Sequence, residues 1–182
     1  MEKVIETPRL ILRPLALSDL AWMHEMACDP EVMEFLTPSF ALPVDDSETR
    51  IGLEKSVALY LGSRYGFFAA DERESGDTIG WFILRPALDF RFATEARLVS
   101  TQIELGYRFR RSFWGNGYAT EGAHALFDYA ALDVTFDEYV AFTLVTNLRS
   151  CRVMERIGMK PQYEWEVPGF EAAGIVYSMP LR

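Results

Sequence analysis

The sequence is poor in cysteine and histidine and has no long apolar run. Its 182 residues include only Cys28, Cys151, His24 and His124 of these two types. Two cysteines are too few for a disulfide framework, and neither type shows a zinc-ligand spacing, so we expect no metal and a reducing, cytoplasmic compartment. The apolar runs fall well short of the roughly 18 residues that cross a membrane. The acidic start of the chain also argues against a signal peptide.

Basic residues are scarce relative to acidic ones. Eighteen Lys and Arg stand against 27 Asp and Glu, which gives a formal net charge of −9. Such a chain repels a phosphate backbone or an anionic membrane, so we expect neither nucleic acid nor membrane as a partner, whereas a cationic substrate is compatible. The 49% hydrophobic and 25% charged residues are typical of a globular protein. At about 100–200 residues per domain, we expect one domain over 1–182, as a monomer or homodimer.

Hydrophobic periodicity predicts strands and helices in irregular order. The clearest strand is 101–109, in which apolar and polar residues alternate. The clearest helix is 147–157, which Asn147 caps and Gly158 ends. This order is not regular βαβ alternation and predicts an α/β fold with a mixed sheet. The other predicted strands are 8–14, 65–70, 78–84, 138–145, 163–167 and 175–181, and the other predicted helices are 18–29, 45–61 and 116–132.

The turn after the 101–109 strand is the strongest functional signal. There Gly115 and Gly117 bend the backbone and a helix opens. Glycine lacks a Cβ, so main-chain N–H groups stay accessible, and the positive end of the next helix favours a phosphate or diphosphate. Beside the turn lies a basic cluster formed by Arg108, Arg110 and Arg111. Tight packing and a solvated basic face would give the same pattern, so both interpretations stay open at this point.

Two other phosphate motifs fit less well. The Walker pattern Gly-x-x-x-x-Gly-Lys-Ser/Thr does not occur. A dinucleotide fingerprint would use Gly115 and Gly117, with Asp137 about 20 residues later. Thr120 stands where that fingerprint needs its third glycine, and the chain before it is not built of repeated βαβ units. A nicotinamide-dependent oxidoreductase therefore ranks last among the alternatives.

Three spaced motifs together resemble one family. The run 103–107 (IELGY), followed by 114–121 (WGNGYATE), looks like the acetyl-CoA motif of the GNAT superfamily of N-acetyltransferases. The run 147–159 (NLRSCRVMERIGM) resembles the second cofactor motif of that superfamily. The runs 6–14 (ETPRLILRP) and 29–33 (DPEVM) are similar to the branch that contains ribosomal-protein N-terminal acetyltransferases. The resemblance covers nearly the whole chain.

The resemblance implies a GNAT-like acyl-CoA N-acyltransferase fold. Its mixed sheet would have two central parallel strands, 101–109 and 138–145, which splay apart and admit acetyl-CoA as co-substrate. The backbone of Leu105, Tyr107 and Phe109 would then pair with the pantetheine arm.

The resemblance also implies a diphosphate site. Asn147 would bond a pantetheine amide. The family usually has Arg or Gln where this chain has Ser112, so Arg110 or Arg111 is expected to supply the missing cation. The residues implied to hold the diphosphate are Ser112, Trp114, Gly115, Asn116, Gly117, Tyr118, Ala119 and Thr120, of which the two aromatic ones fit a core position equally well.

Acetyl transfer to an amine requires a neutral amine and a thiolate that can leave. Glu104, on the polar side of the 101–109 strand, is the expected base, acting through a water, and we predict that burial raises its pKa above about 4.3. A structural carboxylate paired with an arginine is its alternative role. Met154 cannot donate a proton. Ser150 is therefore the candidate for a hydrogen bond to the departing sulfur, with an ordinary first-turn helix residue as its alternative role.

The expected function is an acetyl-CoA-dependent N-acetyltransferase that acts on a primary amine, either the N-terminus of a ribosomal protein or a small amine. An α-amino group has a pKa of about 7.7–8.0, against about 10.4 for lysine, and is easier to deprotonate. A binding module that holds acetyl-CoA without turnover is the main alternative, because Met154 and Ser112 depart from the family pattern.

Overall fold

The computed structural model describes residues 4–36, 45–131, 133 and 135–181. Within them, eight strands form one sheet in the order β1-β2-β3-β4-β5-β6-β8-β7, and β5 with β6 is its one parallel pair. The predicted mixed sheet is confirmed, without the repeated parallel units of a dinucleotide fold. The strands are β1 (Ile5–Glu6), β2 (Leu10–Pro14), β3 (Gly66–Glu72), β4 (Thr78–Pro86), β5 (Gln102–Phe109), β6 (Glu138–Leu144), β7 (Lys160–Trp165) and β8 (Gly174–Pro180).

Helices cover both faces of this sheet. Successive residues of β3 point to opposite faces, so Phe68 packs in the core beneath α4 and α5, whereas Ala69 packs with Leu53 of α3 and Met23 of α1. In the described residues the α-helices are α1 (Leu20–Ala27), α2 (Pro30–Met33), α3 (Asp46–Leu59), α4 (Tyr118–Ala130) and α5 (Leu148–Arg156).

The first predicted helix begins differently from the expectation. A 3-10 turn precedes α1, and Ser18 lies inside that turn instead of capping the helix. The Asp19 carboxylate closes the turn because it accepts the Ala16 N–H at 2.8 Å. The predicted end at Asp29-Pro30 is confirmed, and Asp29 also caps the short α2, which starts at Pro30.

The other boundaries agree closely with the sequence pattern. The predicted strands are confirmed, with ends that move by at most three residues, and the two-residue β1 was not predicted. Helix α3 ends at Leu59, so Leu61, which was expected on its apolar face, lies beyond it and is 83% exposed. Helix α4 starts at Tyr118 instead of at 116. Its predicted end at 132 and the loop 37–44 lie outside the described residues.

Strands β5 and β6 diverge after a short stretch of pairing. Their parallel register joins only 102–104 of β5 to 138–140 of β6. Strand β4 stays paired with β5 as far as Phe109. The rest of β5 therefore has a strand on one side and a widening gap on the other, as the predicted splay requires.

The backbone of β5 presents alternate residues to its two sides. The Thr101 carbonyl, just before β5, accepts the N–H of Asp137 at 2.8 Å on the β6 side. The Arg110 N–H, just after β5, donates to the carbonyl of Ile79 at 2.8 Å on the β4 side. Since backbone groups alternate along a strand, the odd-numbered residues of β5 direct their N–H and C=O groups into the gap.

Candidate active site

A cavity of about 1070 Å³ opens where β5 and β6 separate. The turn between β5 and α4 and the start of α5 form one wall, which we call the turn side. Helices α1 and α3, with the sheet face that carries Glu104, Gly106 and Arg108, form the opposite wall, which we call the sheet side. Pockets for small ligands typically measure about 300–1,000 Å³, so this cavity suits a large ligand together with a second one.

The turn side has backbone N–H groups that suit an anion. Gly115 and Gly117 have φ values of +81° and +83°, which a residue with a Cβ rarely adopts. The first hydrogen bond of α4 runs from the Glu121 N–H to the Gly117 carbonyl at 3.0 Å. The amides of Tyr118, Ala119 and Thr120 therefore have no acceptor within the helix, and all three residues line the cavity.

A side chain from the start of the chain braces this turn. The Arg9 Nη1 donates to the Asn116 carbonyl at 2.9 Å, and its Nε donates to the Glu121 carboxylate at 2.6 Å. The guanidinium also lies 4.7 Å from the centre of the Tyr118 ring. Space remains beside the turn, because an added Cβ would meet no atom within 4 Å at Gly115 and would meet only the Arg9 Nη2, at 3.6 Å, at Gly117.

Trp114 and Tyr118 serve both as cavity wall and as packing. The Trp114 Nε1 donates to the Phe109 carbonyl at 2.8 Å, and the Tyr118 hydroxyl donates to the Glu72 carboxylate. Both rings line the cavity and pack against the core beneath α4. The Arg149 guanidinium of α5 lies 4.8 Å from the centre of the Trp114 ring, so a cation stands beside the glycine turn.

The structure does not bring Arg110, Arg111 or Ser112 to this cavity. The three line a separate hollow against α1 and α2. The Arg110 Nη2 donates to both carboxylate oxygens of Glu25 at 2.8 and 2.9 Å. Arg111 forms ion pairs with two acidic residues around α2, Asp29 and Glu31. In this position the two arginines bind α1 and α2 to the end of β5.

The residues predicted to bond the pantetheine arm lie on the gap side of β5. Leu105, Tyr107 and Phe109 all line the cavity, and their N–H and C=O groups face the gap. The Phe109 carbonyl already accepts a hydrogen bond from the Trp114 indole. The backbone groups of Leu105 and Tyr107 are therefore better placed to bond an extended polar ligand.

Glu104 lies in the cavity wall and has an arginine partner. Its side chain is only 6% exposed, and the Arg85 Nε donates to its Oε2 at 2.5 Å. Burial raises the pKa of Glu104 above its ordinary value, and Arg85 opposes that rise without cancelling it. The predicted direction of the pKa shift is confirmed. Glu104 lies in the cavity wall, as a catalytic base must, and it also pairs with an arginine, as a structural carboxylate would.

Asn147 and Ser150 lie together at the start of α5. The Asn147 Oδ1 accepts the Ser150 N–H at 3.2 Å, which confirms the predicted helix cap. The Asn147 Nδ2 donates to Thr143 Oγ1 at 3.0 Å. The hydroxyl of Tyr107, across the gap, lies 3.0 Å from Ser150 Oγ.

The sheet side is mainly apolar and aromatic. Trp81 of β4 lies beneath the guanidinium of Arg108, which is 4.9 Å from the ring centre, and burial lowers the pKa of Arg108 to about 10. The indole N–H groups of Trp81 and Trp165 are buried and have no hydrogen-bond partner in the described structure. The apolar residues of this wall include Met23, Met26, Phe67, Ile83, Phe90, Phe142 and Phe170.

Sequence reasoning missed several cavity residues. Trp81 was predicted only as part of the 78–84 strand, and Arg85 fell just beyond it, although the two stand opposite Arg108 and Glu104 in the β4–β5 register. Arg149 stood in a quoted motif without a role. Its helical spacing from Asn147, the predicted cap, was the available signal, because both residues belong to the first turn at the mouth of the gap.

The described residues contain neither a group of metal ligands nor a membrane-spanning helix. Among the residues that the structure describes, no group of three or more His, Cys, Asp or Glu side chains is arranged to hold a metal ion. In the same residues, no helix is both long and apolar enough to cross a bilayer.

Comparisons with known proteins agree with this geometry. The Acetyltransferase (GNAT) domain family matches residues 9–160. FsC-acetyl coenzyme A-N(2)-transacetylase of Aspergillus fumigatus is 28% identical over 184 residues, which span 98% of this chain and 76% of that protein.

Solved structures share the fold over nearly their whole length. An acetyltransferase of the GNAT family from Bacillus anthracis has a TM-score of 0.78 at 22% identity and covers 98% of both chains. A Salmonella typhimurium acetyl transferase that modifies the N-terminal serine of ribosomal protein L7/L12 has a TM-score of 0.75 at 16% identity, with 97% of this chain and 98% of that chain covered. Because the family match spans most of the sequence and the splayed sheet accompanies it, the chain belongs to the GNAT family of acetyltransferases.

Proposed function

We propose that this protein transfers the acetyl group of acetyl-CoA to a primary amine. The observation that carries the proposal is the pair of positive-φ glycines, Gly115 and Gly117, at the mouth of a gap between two diverging parallel strands. A diphosphate needs several N–H donors together, since one helix end contributes only about 0.3–1 kcal/mol when exposed. The turn and the first turn of α4 supply such a group of donors.

The same side of the cavity fits the rest of acetyl-CoA. The amides of 115–120 would hold the diphosphate, and Arg149 would supply the cation that Ser112 does not. The backbone groups of Leu105 and Tyr107 would bond the pantetheine arm along the gap. The Asn147 side chain already bonds Thr143 and the Ser150 N–H, so it would have to give up one of these hydrogen bonds to contact the arm. We therefore assign Asn147 a smaller role in binding than Leu105 and Tyr107.

Glu104 is the group that would take the proton of the amine. Its raised pKa makes it a stronger base than an ordinary glutamate, and its place on the sheet side separates it from the glycine turn. The amine nitrogen attacks the thioester carbonyl, a C–N bond forms, and the C–S bond breaks to release the thiolate. The proton lost by the amine goes to the Glu104 carboxylate, directly or through a water.

The sheet side indicates the class of acceptor. Basic side chains outnumber carboxylates only slightly in this half of the cavity, with Arg85, Arg91, Arg108 and Lys55 against Glu104, Glu48 and Glu31, but the buried end is lined by Arg85, Arg108 and Glu104. A polyamine would meet like charges there. The aromatic wall favours a single amine carried on an apolar body, either a small molecule or a protein N-terminus with an apolar first residue.

The test is release of CoA from acetyl-CoA with a panel of amines. Phenylethylamine and tryptamine represent small apolar amines, spermidine represents polyamines, and short peptides with Phe or Ser first represent protein N-termini. We expect CoA release with an apolar amine or the Phe peptide and little with spermidine. Binding of CoA without turnover of any acceptor would instead support a non-catalytic module.

A further inference from the structure

The hydroxyl groups of Tyr107 and Ser150 form a pair across the splayed gap. The Tyr107 oxygen lies 3.0 Å from Ser150 Oγ and 3.2 Å from the Ser150 carbonyl oxygen, and the two residues are 43 positions apart in the chain. Both line the cavity. The contact thus joins β5 to the first turn of α5 at the point where the pantetheine arm would end.

The positions of the two hydroxyl hydrogens determine whether this pair can donate a hydrogen bond to a ligand. The carbonyl oxygen of Ser150 only accepts, whereas each hydroxyl has one hydrogen to donate. When Tyr107 donates to Ser150 Oγ, the hydrogen of Ser150 is directed elsewhere, towards a group in the cavity. When Ser150 donates to Tyr107 instead, the Tyr107 hydrogen goes to the Ser150 carbonyl oxygen, and neither hydroxyl hydrogen remains for a ligand.

Burial keeps Tyr107 protonated, so that its hydroxyl has a hydrogen to donate. Removal from water raises the pKa of its phenol well above the ordinary value, and the hydrogen bond with Ser150 opposes this rise only in part. The other uncharged side chains of α5 that line the cavity are those of Val153 and Met154, and neither can donate a hydrogen bond. Among the uncharged α5 side chains of the cavity, Ser150 is therefore the one that can donate a hydrogen bond to a ligand.

We propose that Tyr107 is a positioning residue that orients the Ser150 hydroxyl towards the sulfur of the departing CoA. This inference rests on the proposed acetyl transfer. As the C–S bond breaks, its electron pair goes to sulfur, and the Ser150 O–H donates a hydrogen bond to that thiolate while the Tyr107 O–H donates to Ser150 Oγ. No proton leaves either hydroxyl, and the proton of the amine is taken by Glu104. The pair therefore stabilises the leaving group without acting as its acid.

The test is a double-mutant cycle of Tyr107→Phe and Ser150→Ala, with kcat, KM for acetyl-CoA and CoA affinity measured for each variant. Each single change should lower kcat roughly 10-fold or more, because the oriented hydrogen bond to the thiolate is lost, with CoA affinity changed less than about twofold. The double variant should be no slower than Ser150→Ala alone, because Tyr107 acts through Ser150.

Tyr139→Phe is the matched control. Tyr139 is a buried tyrosine outside the cavity lining whose hydroxyl donates to the Phe127 carbonyl at 2.6 Å, so its loss should lower the melting temperature but not kcat. A Tyr107→Phe enzyme with unchanged kcat, or additive losses in the double variant, would overturn the inference while leaving acetyl transfer intact. Absence of turnover in the unmodified protein would overturn both.

Discussion

At the scale of single residues, Glu104 shows how a sequence pattern can be right about position and incomplete about environment. Alternation along β5 placed it on a polar side together with Gly106 and Arg108. That side is not solvated: it faces the cavity, and Arg85 of the neighbouring strand meets the carboxylate at 2.5 Å. The partner lies 19 residues earlier, and only the β4–β5 register brings the two together.

Replacing Glu104 by Gln should slow the chemical step. General base catalysis is worth about 10²–10⁴-fold, so we expect kcat to fall at least 100-fold, while the Kd for CoA stays within about threefold. The control is Glu138→Gln on β6, which accepts a bond from Gln102 at 2.7 Å outside the cavity lining. Steady-state kinetics measures kcat, and calorimetric titration measures the Kd for CoA, for both variants. Equal rates for the two variants would exclude Glu104 as the base.

The pH dependence of the rate should follow the same carboxylate. A base must be ionised, and burial raises the pKa of Glu104, so kcat/KM should rise with pH through a value above the ordinary one of about 4.3. Arg85 favours the charged form. Arg85→Leu should therefore raise the pKa further and move the acidic limb to higher pH, whereas Arg73→Leu in the β3–β4 turn should not move it.

Comparing the pH profiles of the unmodified protein and Arg85→Leu separates the titration of Glu104 from that of the acceptor amine. Titration of the acceptor amine affects both profiles equally and cancels in the difference. A limb that stays in place in Arg85→Leu, or moves to lower pH, would show that another group controls the rate.

At the scale of elements, local chemistry explains what the sequence could predict. The strand β5 and the helix α5 follow from alternation and from the Asn147 cap, and Gly115 and Gly117 have the positive φ values that only glycine adopts freely. The arginines could not be assigned in this way. Arg110 bonds Glu25, which is 85 residues away in sequence, so only the packing of α1 shows that it does not line the cavity.

The glycine turn gives a prediction that separates strain from ligand binding. Gly117→Val should cost about 1–2 kcal/mol of stability, since a residue with a Cβ is forced to a positive φ. The same change should also block the diphosphate and weaken CoA binding at least 10-fold. Gly76 in the β3–β4 turn has a φ of +76°, so Gly76→Val should cost comparable stability and leave CoA affinity unchanged.

Chemical denaturation and calorimetric titration of CoA distinguish the two glycine variants. Loss of CoA binding in both of them would mean that the strain, and not the site, is responsible.

The first turn of α5 offers a second prediction. Arg149→Met should raise the Kd for CoA about 10-fold, because a charge-assisted bond to phosphate contributes roughly 1.5–3 kcal/mol. The effect should shrink as salt rises. The control is Arg73→Met. The exposed guanidinium of Arg73, just after β3, pairs at 2.8 Å with Glu6 of β1, at the edge of the sheet. A larger loss from Arg110→Met than from Arg149→Met would contradict the assignment of Arg149.

At the scale of the whole molecule, a buried polar network fixes the helical wall of the cavity. The Asp19 side chain is 3% exposed and accepts bonds from Arg13 at 2.7 and 2.9 Å, from Trp22 at 2.9 Å and from the Ala16 N–H at 2.8 Å. Arg13 also pairs with Asp71 of β3 at 2.7 Å. Strands β2 and β3 are thereby joined to the start of α1, which carries Met23 and Met26 of the sheet side.

Asp19→Asn should destabilise the fold by about 3 kcal/mol, because it breaks a buried ion pair. Burial alone would raise the pKa of Asp19, but its hydrogen bonds outweigh this and lower it. Its contribution is therefore present above the unfolded pKa of about 3.9 and is lost as pH falls through the lower folded value. The exposed pair Asp46–Arg50 gives the control Asp46→Asn, with an expected cost below about 0.5 kcal/mol.

Urea denaturation at pH 7 and near pH 3 checks this prediction. The difference in free energy of unfolding between the unmodified protein and Asp19→Asn should shrink at the lower pH. A difference that is the same at both pH values, or no larger than that of Asp46→Asn, would show that the ion pair does not hold the wall.

The most direct measurement is calorimetric titration of the protein with CoA, followed by Gly117→Val under the same conditions. The account predicts binding of one CoA per chain, at least 10-fold weaker in the glycine variant. Absence of binding to the unmodified protein, or equal affinity in the two proteins, would contradict the claim that the amides around Gly115 and Gly117 hold the diphosphate at the mouth of the gap.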